Sequence, residues 1–210
     1  HRDLTNSPGH PSFAPEKVFG PFGGQAFIAD IAHRNIVRVA LEKVGGKYQG
    51  AVFPFIRPLS SASYSTAFDP DGNLWVSAVG RGWTAGEPMI EVIHFDEEET
   101  PFEMHRIALT RDGFDIHFTQ PLASRDLELQ DLAISEYQYE CWSGYGSEQI
   151  NTAEVPIASA TVSTDRRVLS IKLPRQAEYI YEIQLPELTS ASGLSLENNY
   201  AVYTLNQLLP

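Results

Sequence analysis

Three histidines, His94, His105 and His117, carry the side chains of this sequence that most readily do chemistry, because neutral imidazole ligates zinc or copper. Their spacings of 11 and 12 residues put them on three successive short strands, with no local cluster of the HExxH kind. Metal ligands must converge at about 2.0–2.1 Å, so three ordinary strand histidines are the expectation. Asp69 and Asp71 bring carboxylate oxygens suited to calcium, but an EF-hand loop needs acidic residues at alternate positions and glycine at the sixth. Here Gly72 stands fourth and Leu74 sixth, and Asp69-Pro70-Asp71-Gly72-Asn73 is expected to be a hairpin turn. Arg81-Gly82-Trp83 follows a strand and opens a loop through Thr84, Gly86 and Pro88. A guanidinium there can clamp a carboxylated ligand while the indole stacks on it or on a sugar. The plainer alternative is a Trp packed over a sheet edge under the Arg stem. Tyr137, Tyr139 and Trp142, with Tyr145, form an aromatic cluster that suits either a sugar-binding platform or a sandwich core. Cys141 has no basic neighbour in sequence to depress its pKa and is expected to be a small apolar residue. GxSxG, GxGxxG and Walker patterns are absent, so triad hydrolysis and nucleotide chemistry have no anchor.

Composition narrows the partners. The 210 residues are 42% hydrophobic and 11% aromatic, enough for a core and too apolar for a disordered tail. Lys plus Arg number 15 against 27 Asp plus Glu, a net charge of −12 that disfavours nucleic acid. The deficit steepens along the chain: residues 1–101 hold 8 basic and 12 acidic side chains, and 102–210 hold 7 and 15. That asymmetry points to two units. No apolar run approaches the roughly 18 residues of a membrane-spanning helix. A single cysteine rules out an intrachain disulfide and a CxxCH haem site, and is compatible with either redox compartment. The opening His1-Arg2-Asp3, in place of Met, suggests a processed product or a piece of a longer protein.

The elements that must position these groups all read as strands. Runs rich in Val, Ile, Phe and Tyr at 25–30, 35–41, 48–55, 64–68, 73–79 and 89–95 are separated by Gly, Pro, Asn and Asp. Residues 1–21 carry four prolines and predict an extended lead-in; 96–101 is an acidic, Pro-terminated linker. Beyond it, strands are expected at 103–110, 114–119, 129–140, 157–162, 168–173, 179–185 and 200–205, the count and spacing of an immunoglobulin-like β-sandwich over 102–210. Residues 22–97 hold two groups of three strands at a spacing near the about 40–45 residues of a propeller blade. A ring needs about four to eight blades, so two blades make an incomplete propeller whose missing part lies elsewhere.

The ordered set Phe19-Gly20-Pro21-Phe22-Gly23-Gly24-Gln25, Asn35-Ile36-Val37-Arg38-Val39 and Tyr48-Gln49-Gly50-Ala51-Val52-Phe53-Pro54-Phe55 begins a resemblance. Ala67 to Val76, Arg81-Gly82-Trp83 and Asp112-Gly113-Phe114 continue it. Phe118 to Leu122, Tyr145-Gly146-Ser147 and Tyr203-Thr204-Leu205-Asn206 complete it. In this order they resemble the C-terminal portion of bacterial glucose/sorbosone dehydrogenase-like proteins, often labelled membrane-bound dehydrogenase-like, over nearly the whole chain. The resemblance implies closing propeller blades followed by an immunoglobulin-like sandwich, in a periplasmic or extracellular protein. It implies pyrroloquinoline quinone (PQQ) and calcium in the complete propeller, which oxidises sugars or related alcohols. The family's catalytic His and most cofactor ligands lie in earlier blades, so no catalytic residue is expected here. Arg81 and Trp83 are the expected cofactor-facing pair, and Tyr137, Tyr139 and Trp142 the expected sugar-facing residues. The alternative is a non-catalytic carbohydrate-binding or scaffolding β module.

Overall fold

The computed structural model describes residues 4–80, 86–140, 142–144 and 146–210. The chain is all-β among these residues, with three open antiparallel sheets of eight, four and three strands. It divides into two compact units, residues 1–40 with 52–100, and 41–51 with 101–210. The acidic run 96–101 ends at one boundary. The other falls inside a long hairpin whose tip, 41–51, belongs to the second unit.

In the first unit the strands are β1 (Ser12–Phe13), β2 (Ala26–Asp30), β3 (Asn35–Val44), β4 (Lys47–Ile56), β5 (Ser63–Phe68), β6 (Leu74–Ala78) and β7 (Met89–Ile93). The 35–40 and 52–56 segments of β3 and β4 lie in this unit. Both groups are meanders, β1-β2-β3-β4 and β5-β6-β7, in which sequence neighbours are sheet neighbours. Phenylalanines fill the core: the Phe19 ring meets Phe27 and Phe68 edge-on at 5.2 Å each, and Phe55 meets Phe27 at 5.1 Å and Phe22 at 5.3 Å. Quadrupole attraction favours these T-shaped contacts. Arg38 is fully buried, with its guanidinium 4.5 Å from the Phe22 centroid and 4.4 Å from that of Phe53, donating to Gln25 Oε1 at 2.5 Å. The two ring faces stabilise the cation where water does not reach.

Residues 4–21 are more than a lead-in. Leu4, Ala14 and Phe19 are buried, and β1 pairs with β2. Asp30, fully buried, binds the segment: its Oδ1 accepts from Asn6 N at 2.9 Å and Ser7 N at 2.6 Å, and its Oδ2 from His33 N at 2.8 Å. Phe19 and Gly20 both have positive φ, 65° and 59°, reversing the chain into a 3-10 turn at Gly20–Phe22. A Cβ on Gly20 would stand 2.1 Å from the Phe95 ring, so glycine is required twice over.

The second unit holds β8 (Met104–Leu109), β9 (Gly113–Phe118), β10 (Ala133–Tyr139), β11 (Gln149–Glu154), β12 (Ser159–Val162), β13 (Val168–Lys172), β14 (Tyr179–Gln184) and β15 (Tyr200–Leu205). One sheet runs β12-β13-β9-β8; the other runs β11-β10-β14-β15 and continues with β4. Phe114 of β9 meets Tyr181 of β14 at 5.4 Å and Tyr203 of β15 at 4.9 Å, so the two sheets face each other across an aromatic layer. The 129–140 segment divides into a 3-10 turn at Leu129–Asp131 and then β10. β11 was not expected from the sequence: its six residues are all exposed, and it lies at the end of its sheet, paired with β10 alone.

The hairpin tip is fastened within this unit by a polar cluster. The Tyr203 hydroxyl donates to the Glu42 carboxylate and accepts from Gln49 Nε2 at 2.8 Å. Glu42 Oε1 also accepts from Leu109 N at 2.8 Å, and Gln49 Oε1 accepts from Gln207 N at 2.9 Å. Burial and the neighbouring Glu42 carboxylate push the Tyr203 phenol well above its ordinary pKa.

Candidate functional site

The best-defined group of polar and aromatic side chains on the first unit grows from the 69–73 turn. Asp69 N donates to Asn73 O at 3.1 Å and Gly72 N to Asp69 O at 3.1 Å, with Gly72 at φ 87°. The hairpin turn expected from the sequence is present, joining β5 to β6. Closing the turn brings the Asp69 carboxylate to three donors: Trp75 Nε1 at 2.8 Å, Asn73 Nδ2 at 2.9 Å and Asn73 N at 2.9 Å. The indole N–H of Trp75, followed by the two Asn73 donors, lowers the Asp69 pKa to about 2. His94 Nδ1 lies 2.7 Å from Asn73 Oδ1 and extends the chain of contacts.

Alternation along β6 buries Leu74 and Val76 completely and turns Trp75 outward, 43% exposed. Trp75 pairs with Val92 and Ser77 with Ile90, so the same face carries Ile90, which is 68% exposed. With its one N–H satisfied by Asp69, the Trp75 ring offers an apolar and π surface held at a fixed angle. Such a surface can take a C–H-rich ligand face or another protein layer.

The sequence-derived candidates distribute as follows. Arg81 and Trp83 lie outside the described residues. Tyr137 is 1% exposed; its ring meets that of Tyr139 edge-on at 5.3 Å, so it presents no open face to a ligand. Burial raises its phenol pKa well above the ordinary value. Tyr139 is 39% and Trp142 61% exposed, and Trp142 Nε1 donates to the Gly146 carbonyl. Tyr139 and Trp142 thus remain at the surface near the end of β10. His94 belongs to the first unit, and His105 and His117 to the second. Burial lowers the His117 pKa, with Arg106 adding to the effect. Among the described residues, no three His, Cys, Asp or Glu side chains are grouped to hold a metal ion. Among the described residues no helix is long and apolar enough to cross a membrane.

Sequence reasoning passed over Trp75 as a surface residue, although its place between two buried apolar neighbours carried the signal. It also passed over a groove on the second unit, beside Ser135, Glu182 and Tyr200. Comparison with family models, curated proteins and solved structures returns no match.

Proposed function

We propose that this chain is the closing, non-catalytic portion of a quinoprotein-type sugar or alcohol dehydrogenase-like β-propeller protein, its second unit being an accessory immunoglobulin-like sandwich. The reading rests on the ordered motifs from Phe19 to Asn206. It is supported by the two successive meanders of the first unit, each arranged as blade strands are. The observation that carries it is the outer face of β5-β6-β7, where Trp75 of β6 and Ile90 of the end strand β7 stand exposed. A blade buries both faces against its neighbours, and a terminal blade cut from its ring leaves one such face bare. For the second unit, the Tyr181 hydroxyl accepts from Gln176 N at 2.7 Å, five residues upstream, resembling the tyrosine corner of immunoglobulin-like folds. Periplasmic or extracellular placement and a propeller-completing partner segment belong to the same proposal.

Denaturing intact mass beside native light scattering, on protein isolated from its natural host, tests this. The expected result is that the 23.3 kDa chain is joined to, or tightly held by, a larger polypeptide that then justifies reconstitution with PQQ and calcium. A stable, lone 23.3 kDa monomer overturns it. Carbohydrate binding without catalysis is the second reading, favoured by the exposure of Tyr139 and Trp142. It predicts retention on a polysaccharide column that Trp142→Ala abolishes.

A further inference from the structure

A groove of about 440 Å³ opens on the second unit, along the start of β10 and its neighbours β11, β14 and β15. Register places its polar groups in rows. Ser135 pairs with Glu154 on one side and with Glu182 on the other, while Gln184 pairs with Ala133 and Tyr200. Paired residues share a sheet face, so Glu154, Ser135 and Glu182 form one row. Twice the strand spacing separates the two glutamate backbones by about 10 Å. Leu132, Ile134 and Val155 alternate with this row and are buried on the opposite face, which leaves Ala133 and the Tyr200 ring as the groove's apolar groups.

Several of these polar groups remain open to a ligand. Gln184 uses its Nε2 on the carbonyls of Leu185 at 3.1 Å and Asn199 at 3.3 Å, which fixes the amide and leaves Oε1 as an acceptor. Among the described residues, neither the Ser135 hydroxyl nor the Glu154 carboxylate has a side-chain partner. The lining is therefore rich in acceptor oxygens. It includes no Lys or Arg, which disfavours phosphorylated or carboxylated ligands. A ligand that fits must donate several hydrogen bonds around its rim and present C–H surface to Ala133 and the Tyr200 ring. A neutral pyranose has that chemistry, with hydroxyls at its edge and C–H groups on its faces. The volume lies within the about 300–1,000 Å³ usual for small-molecule sites.

We propose that this groove is a binding site for a neutral pyranose sugar, with Ser135, Glu154 and Gln184 accepting its hydroxyls and Tyr200 packing on its C–H face. The site is independent of the propeller reading and shares only its ligand class with the second reading. Saturation-transfer NMR on the whole chain, with the methyl pyranosides of glucose, galactose and mannose as probes, tests it. At least one probe should show strong transfer to ring C–H protons. Ser135→Ala with Glu154→Ala, both at solvent-accessible positions, should weaken binding roughly tenfold through two lost hydrogen bonds, and Trp142→Ala should leave it unchanged. Absence of transfer from every probe overturns the site. So does binding that Trp142→Ala abolishes while the double variant retains it, an outcome that would locate the sugar at the end of β10. Binding of 1,6-diaminohexane with no pyranoside binding would identify an ammonium site and overturn the proposal equally.

Discussion

Replacing Asp30 with alanine is expected to release residues 4–11 from the first unit and to destabilise that unit by about 3 kcal/mol. The carboxylate is fully buried and accepts three backbone N–H groups, from Asn6, Ser7 and His33. Hydrogen bonds to a charged group contribute about 1.5–3 kcal/mol each, so their simple sum is an upper bound. Asn6 is exposed and Ser7 half-buried, and their amides can turn to water once the acceptor is gone, which brings the expected loss down to about 3 kcal/mol. The remaining contacts, Gly9 N to Ala29 O at 2.8 Å, Ile31 N to Ser7 O at 3.2 Å and Asn35 Nδ2 to Leu4 O at 2.8 Å among them, then have to hold the segment without the carboxylate. Asp30→Asn should cost less, because one oxygen can still serve Asn6 and Ser7 while its NH2 opposes the His33 N–H. Hydrogen exchange read by mass spectrometry on peptides covering 4–12 and 26–40 isolates this unit from the other. The reasoning predicts lost protection in the first peptide and a smaller loss in the second. Unchanged protection in 4–12, with stability within about 0.5 kcal/mol of the parent, the range of an ordinary surface substitution, would refute it.

Gly20→Ala combines a disfavoured positive φ with a Cβ placed against the Phe95 ring, and should lower stability by about 2 kcal/mol or more in urea unfolding. Tyr203→Phe removes the hydroxyl that joins Glu42 to Gln49, for an expected loss of about 2 kcal/mol in the second unit, with faster exchange at the hairpin tip. Asp69 has its pKa lowered from 3.8 to about 2, so the stability that its ionised form contributes is present above pH 3.8 and lost as pH falls toward 2. Carboxyl carbon NMR should place its midpoint near 2, and Trp75→Phe should move that midpoint up. His117 is lowered from 6.5, so the folded state resists its protonation and the second unit loses stability as pH drops below 6.5. Denaturation at pH 7.5 and 5.5, with and without His117→Gln, measures that difference.

Strand content was legible because β-branched and aromatic runs alternate with turn residues of known mechanism, as at Asp69 to Asn73. The strand β11 was not, because its Gln-Ile-Asn-Thr-Ala-Glu sequence has no buried face from which to read a period. Residues 1–21 suggested an extended lead-in since prolines dominate them; the burial of Leu4 and Phe19 depends on Asp30 and the phenylalanine core, supplied from further along the chain. The exposure of Trp75 follows from alternation with Leu74 and Val76, but its hydrogen bond to Asp69 joins residues six apart and exists only once the turn has closed. Tyr137 and Tyr139 share a face by alternation, yet one is buried and the other 39% exposed. Their difference arises from packing within the second unit, which spacing alone does not encode. The groove beside Ser135 is composed from four strands, none of which carries a motif.

Oxidative footprinting of Trp75 in the full-length protein from its natural host tests the closing-segment account most directly, with Trp142 as internal reference. Left bare, the two indoles should react in proportion to their exposures of 43% and 61%. The account predicts that a further sheet covers β5-β6-β7, so that Trp75 is almost unreactive while Trp142 oxidises freely. Oxidation of Trp75 in proportion to its exposure would contradict it.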